Sequence, residues 1–85
     1  MITVSAAKIS LLCEQLVKAR KQRAKILERD PNDVDWYLVR RADDTMEIIR
    51  AVIGLLYEGH CYSNNEEVWI HKGSDLITIY KEEEE

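Results

Sequence analysis

Three arginines, Arg20, Arg23 and Arg41, stand where the spacing of apolar residues calls for a helix–helix seam. From Ser5 to Arg29 the residues Ile9, Leu12, Leu16, Ala24 and Leu27 recur with helical period. At about 100° per residue, Arg20 and Arg23 fall inside that stripe. From Asp33 to Glu58 the stripe is Val34, Leu38, Ile49, Val52 and Leu56, with Arg41 near its centre. Folding the two segments back at residues 30–32 brings Arg20 level with Arg41. Cations at one level of a seam repel one another and call for anions. Two accounts follow. In one, the stems pack, the heads snorkel to the edge and pair with Asp43, Asp44 or Glu14. In the other, the guanidinium forks converge on a phosphate or carboxylate, which a planar fork binds bidentately. Tyr37, near the same level, could then stack on a ring of a nucleotide-like ligand.

A second group of chemistry-bearing residues lies toward the C-terminus. Lys72-Gly73-Ser74-Asp75 has glycine at the first central position of a tight turn, the type II′ preference. Pairing across it sets Ile70 opposite Ile77 and Val68 opposite Ile79, one apolar face to lie on the helices. The other face then carries Trp69, His71, Leu76, Thr78 and Tyr80. A further turn at Asn64-Asn65 adds a strand over residues 60–63, with Cys61 inward and His60 and Tyr62 outward. Trp69, Tyr62, Tyr80, His60 and His71 would form an aromatic patch, and Trp36 falls on the polar side of its helix. Trp and Tyr are enriched at protein-binding hot spots, so these six residues are candidate partner contacts.

Other chemistry fits poorly. His60 and Cys61 are adjacent, but strand neighbours point to opposite faces, so a thiol–imidazole pair is not expected. His60 and His71 with Glu67 lack the usual metal-ligand spacing. Asp43, Asp44 and Glu47 read as helix-surface charges. No glycine-rich phosphate loop and no Gly-x-Ser-x-Gly is present. A capping box at residues 44–47 could open a recognition helix over residues 45–58. That helix is mostly apolar and offers only Arg50, so duplex nucleic acid is not the expected partner. The expectation is a protein that is not an enzyme and holds neither cofactor nor metal.

The elements that must position these residues follow from the pattern. The chain has 85 residues, 46% hydrophobic and 33% charged, enough for one domain with a modest core. The formal net charge is -4, from 12 basic and 16 acidic residues, which argues against a protein that coats nucleic acid. Thr3 or Ser5 can cap the first helix. Asp30-Pro31-Asn32-Asp33 is a break and restart, with Asn32 or Asp33 as N-cap, and Gly59 is a natural C′ residue. Counting Tyr37, Val39, Met46, Ile48, Ile53, Leu55 and Tyr57, the second helix has an apolar arc of roughly 200°, too wide for one neighbour. Gly54 within it allows a close crossing.

The expected fold is α+β. A long antiparallel αα-hairpin, helices at 5–29 and 33–58, precedes a three-stranded antiparallel β-meander at 60–63, 66–72 and 75–80. Residues 1–81 form one domain and 82–85 a disordered acidic tail. Surplus apolar surface on the second helix and the aromatic sheet face imply a homo-oligomer, a dimer by preference. With no apolar run of about 18 residues and no signal-peptide pattern, a cytoplasmic location is expected. Two functional classes fit. One is an inhibitor or adaptor acting on a protein partner. The other is an oligomer that sequesters an anionic small molecule at the arginines. Small size, an acidic end and no catalytic motif are similar in style to small phage-encoded inhibitors of host defence, a likeness of composition alone.

Overall fold

A computed structural model describes residues 4–29 and 31–82. Two helices are followed by a three-stranded antiparallel sheet of order β1-β2-β3: an α+β hairpin and then a meander. Helix α1 spans Ala6–Leu27. Ser5 caps it, its extended backbone leaving the hydroxyl to accept from the N–H of Lys8. Thr3, the other candidate cap, lies outside the described residues. The reversal contains a single 3₁₀ turn at Pro31–Asp33, which uses up residues expected to open the next helix. Helix α2 therefore starts later, at Trp36, and runs to Tyr57. Its cap is Asp35, not Asn32 or Asp33: the Asp35 carboxylate accepts from the N–H groups of Tyr37 and Leu38. Helix α2 is unbroken across Asp43 to Thr45, so no separate recognition helix opens there.

The end of α2 departs from expectation in an instructive way. The left-handed residue is Glu58, at φ 55°, and not Gly59. The N–H of Gly59 closes a six-residue loop onto the Gly54 carbonyl, a Schellman-type end. Gly59 serves close approach instead: a Cβ there would sit 2.8 Å from the His71 carbonyl oxygen and 2.8 Å from Ile70 Cγ2. Gly54 does the same for the returning chain, since its Cβ would meet the Gly59 carbonyl oxygen at 2.8 Å. Its small size serves this helix end.

Strands β1 (His60–Ser63), β2 (Glu67–Lys72) and β3 (Asp75–Lys81) pair as consecutive neighbours. Gly73 takes φ 60° in the β2–β3 turn, as its position requires. The register puts Ile70 opposite Ile77 as expected, then shifts at a bulge between Val68 and Trp69. Val68 consequently faces Tyr80, not Ile79. The surplus residue turns both Ile79 and Tyr80 onto the core. Tyr80 thus leaves the outer aromatic face, a correction caused by one unpaired residue.

The core is formed by Cys13, Leu16, Val17 and Ala19 of α1, Met46, Ile49 and Ile53 of α2, and Val68 and Ile70 of β2. The expected stripes were off by one side in places. On α2, Val39 and Ile53 are buried while Leu38 and Val52 are exposed; on α1, Ala24 and Leu27 are exposed. Ile77 lies on the inner face but near the hairpin end of the sheet, and it stays 47% exposed. Between Arg20 and Thr45, among the described residues, only Val39 is buried. The far half of the hairpin therefore overhangs the sheet. The Cα radius of gyration is 14.2 Å, against about 12 Å for a compact chain of this length. The acidic end is partly anchored: Glu82 donates its N–H to the Glu66 carbonyl and pairs with Lys21. The remainder of the expected tail, residues 83–85, lies outside the described residues.

Candidate functional site

The seam between α1 and α2 has two sides, and the arginines divide between them. On the side facing the β1–β2 turn, Arg20, Arg23, Asp43, Met46, Arg50 and Asn65 border a cleft of about 410 Å³. Arg41 lies on the other side, where it borders a groove of about 590 Å³ with Gln22, Lys25, Ile26 and Leu38. The expected level of three arginines thus separates into Arg20 with Arg23, and Arg41 apart. Tyr37 goes with Arg41: together with Arg40 and Asp44 they line a further cleft of about 460 Å³.

Local structure sets each position. Asn64 closes the β1–β2 turn on itself, its side-chain oxygen accepting from the N–H groups of Glu66 and Glu67. That leaves Asn65 pointing to α1, where its oxygen accepts from Arg20 Nε at 3.1 Å. Arg23 Nε donates to Asp43 at 2.5 Å, a pair with both side chains more than a third exposed and worth little to stability by itself. Of the three carboxylates considered as partners, Asp43 is the one used. Arg50 was not anticipated as a companion of Arg20 and Arg23. Its signal was present in the spacing, because residues seven apart on a helix share a face, and Arg50 is seven beyond Asp43.

The outer sheet face presents two cross-strand rows. His60, His71 and Leu76 form one; Tyr62, Trp69 and Thr78 form the next. His60 and His71 are directly opposite. Tyr62 and Trp69 stack, with ring centroids 6.2 Å apart and planes 24° from parallel. The helices pack on the opposite face, and among the described residues no element covers these rows. The remaining candidate, Trp36, is at the start of α2 and 65% exposed, far along the hairpin from the sheet.

Elsewhere α2 shows a second apolar line. Ile48, Val52 and Leu55 lie within one narrow arc at helical spacing, and Leu55 is 80% exposed. Ile53, on the core side, is fully buried.

The thiols are not poised for nucleophilic work. Burial, with a smaller contribution from Cys61, pushes the Cys13 thiol up to about 11. Burial also raises Cys61, partly offset by the Arg50 guanidinium. A thiol held in its protonated form is a poor nucleophile at neutral pH. Burial raises Tyr80 as well, with Glu14, Glu82 and Cys13 adding to it, as expected for a ring turned toward α1. Among the described residues, no three His, Cys, Asp or Glu side chains converge as metal ligands, and no helix is long and apolar enough to cross a membrane. The chain matches no protein family, no curated protein and no solved structure.

Proposed function

We propose that this chain is a non-enzymatic binding protein, an inhibitor or adaptor that holds another protein against the outer face of its sheet. The observation that carries this reading is the pair of rows His60–His71–Leu76 and Tyr62–Trp69–Thr78, left uncovered by the chain's own helices. A stacked Trp–Tyr pair offers a large, rigid apolar surface with polar tips. Ordering it on binding costs little, which is why such residues dominate interface energetics. The raised thiols fit the same reading, since the most reactive side-chain type in the chain is held in its inert form.

Two copies pair through the outer line of α2. Ile48, Val52 and Leu55 form an apolar strip opposite the core-facing Ile53, the arrangement of a helix with a neighbour on each side. A twofold pairing of α2 helices would cover the strip in both copies and leave the sheet faces outward. Free Cys13 and Cys61 fit a reducing compartment, in keeping with a cytoplasmic location.

The test is quantitative capture from extract of the source cell with the tagged chain, comparing variants. Trp69→Ala is expected to weaken retention of its specific partner about thirtyfold, the effect of losing a hot-spot residue. Trp36→Ala should retain the partner fully. Undiminished capture by Trp69→Ala together with Tyr62→Ala would sink the proposal. Sedimentation velocity tests the pairing separately: Leu55→Asp should convert a dimer to a monomer.

A further inference from the structure

The cleft bordered by Arg20, Arg23 and Arg50 is not part of the sheet face proposed to hold a protein, and its chemistry is different. Three arginines and one aspartate line it, a formal surplus of two positive charges; Arg50 also borders the neighbouring cleft with Glu47 and Glu58. Asp43 answers Arg23. Arg20 is steered by Asn65, a neutral amide oxygen. Among the described residues neither Arg20 nor Arg50 makes an ion pair. An arginine held through Nε still has its two terminal amino groups to donate, in a plane fixed by the contact already made. Arg20 and Arg23 come from α1 and Arg50 from α2, so the cations approach one space from both walls. Unrelieved like charges in a shared cleft favour uptake of an anion.

We propose that this cleft binds a compact oxyanion of the phosphate class, with Arg20 and Arg50 as principal donors and Arg23 as a third. A phosphate dianion matches the surplus of two charges. Its oxygens are arranged around a tetrahedral centre and can accept from donors on both walls, whereas a carboxylate offers one plane and one charge. Among the described residues no aromatic ring borders the cleft. Tyr37, the ring that could stack on a base, opens onto a different space with Arg40, Arg41 and Asp44. The site therefore reads the anion and leaves the remainder of any larger ligand in solvent. Free phosphate and a small phosphomonoester share this chemistry.

The experiment is titration of the purified chain with inorganic phosphate, at ionic strength held constant with chloride, read from the arginine Nε–Hε resonances. Saturable shifts are expected at Arg20, Arg23 and Arg50, and none at Arg40 or Arg41. Arg50→Gln should weaken binding about tenfold, as for loss of a charged hydrogen bond, with helical circular dichroism unchanged. Arg41→Gln should bind as the unmodified chain does. Asp43→Asn releases Arg23 and should bind phosphate more tightly, a gain that damage to the fold could not produce. A parallel titration with glycerol phosphate separates the sources. Tighter binding than phosphate assigns the site to a phosphomonoester; equal or weaker binding assigns it to the free ion. Shifts that do not saturate, equal weakening by Arg41→Gln, or Asp43→Asn binding no more tightly would each overturn the proposal.

Discussion

The two halves of the helical hairpin both carry apolar residues at helical spacing, the far half of α1 being the more basic, and they meet different fates. Near the sheet, Cys13, Leu16, Val17, Met46, Ile49 and Ile53 close over Val68 and Ile70. Beyond Arg20 the same two helices run on with apolar residues at comparable spacing, yet Ala24, Leu27 and Leu38 stay exposed and, among the described residues there, only Val39 is buried. Periodicity makes a face apolar; a third element decides whether that face loses its water. The β1–β2 turn and Glu82 reach as far as Arg20 and Lys21, and burial stops near there. The three-arginine cleft lies at this boundary, where the seam is no longer covered and can admit charged groups.

The strongest way to break the comparison is truncation in each half. Ile53→Ala, in the covered half, should cost about 2–5 kcal/mol in urea unfolding because it empties a fully buried site. Leu27→Ala, in the overhang, should cost well under that, about 1 kcal/mol or less. Equal losses would mean that the far half is packed as tightly as the near half.

Alkaline pH probes the covered half through Cys13. Its thiol is raised in the folded chain from 9.0 to about 11, so the native state keeps its proton where the unfolded state has lost it. Stability from this source is complete below the unfolded value and falls as pH rises from about 9 to about 11, by roughly 2 to 3 kcal/mol. Urea unfolding of the unmodified chain against Cys13→Ala across that range isolates the effect. A difference that does not change with pH would remove it.

The smaller effect is at the joint between helix and sheet. Gly59→Ala would bring a Cβ to 2.8 Å from both the His71 carbonyl oxygen and Ile70 Cγ2. A cost of about 1–3 kcal/mol is expected, as for overpacking elsewhere. Thermal unfolding gives the answer, and a neutral or stabilising result would show that β2 can retreat freely from the helix end.

Much of this architecture was legible because single residues punctuate it. Pro31 marks the reversal between the helices, Ser5 caps the first, and Gly73 sets the β2–β3 turn and hence the Ile70–Ile77 pair. The bulge was not legible, since no glycine marks it, and Ile79 is as fit for a regular strand as for a bulged one. One silent residue was enough to take Tyr80 from the outer face to the core. The arginine grouping failed for a related reason. With an apolar arc as wide as that of α2, several rotations about the helix axis satisfy the pattern. The sheet selects the one that buries Val39 and Ile53, not Leu38 and Val52. That rotation carries Arg41 to the far side of the seam and brings Arg50 to the cleft that Arg20 lines.

The overhang also has a hydrodynamic consequence. With principal extents of 46 × 30 × 25 Å, a single copy, as in the Leu55→Asp monomer, tumbles as a short rod, with end-over-end rotation slower than rotation about its length. A mass added at the hairpin tip lengthens the rod and slows the first motion most. A mass added to the sheet face thickens one end and slows the second. The anisotropy of tumbling thus reports where a partner has landed before any contact residue is known.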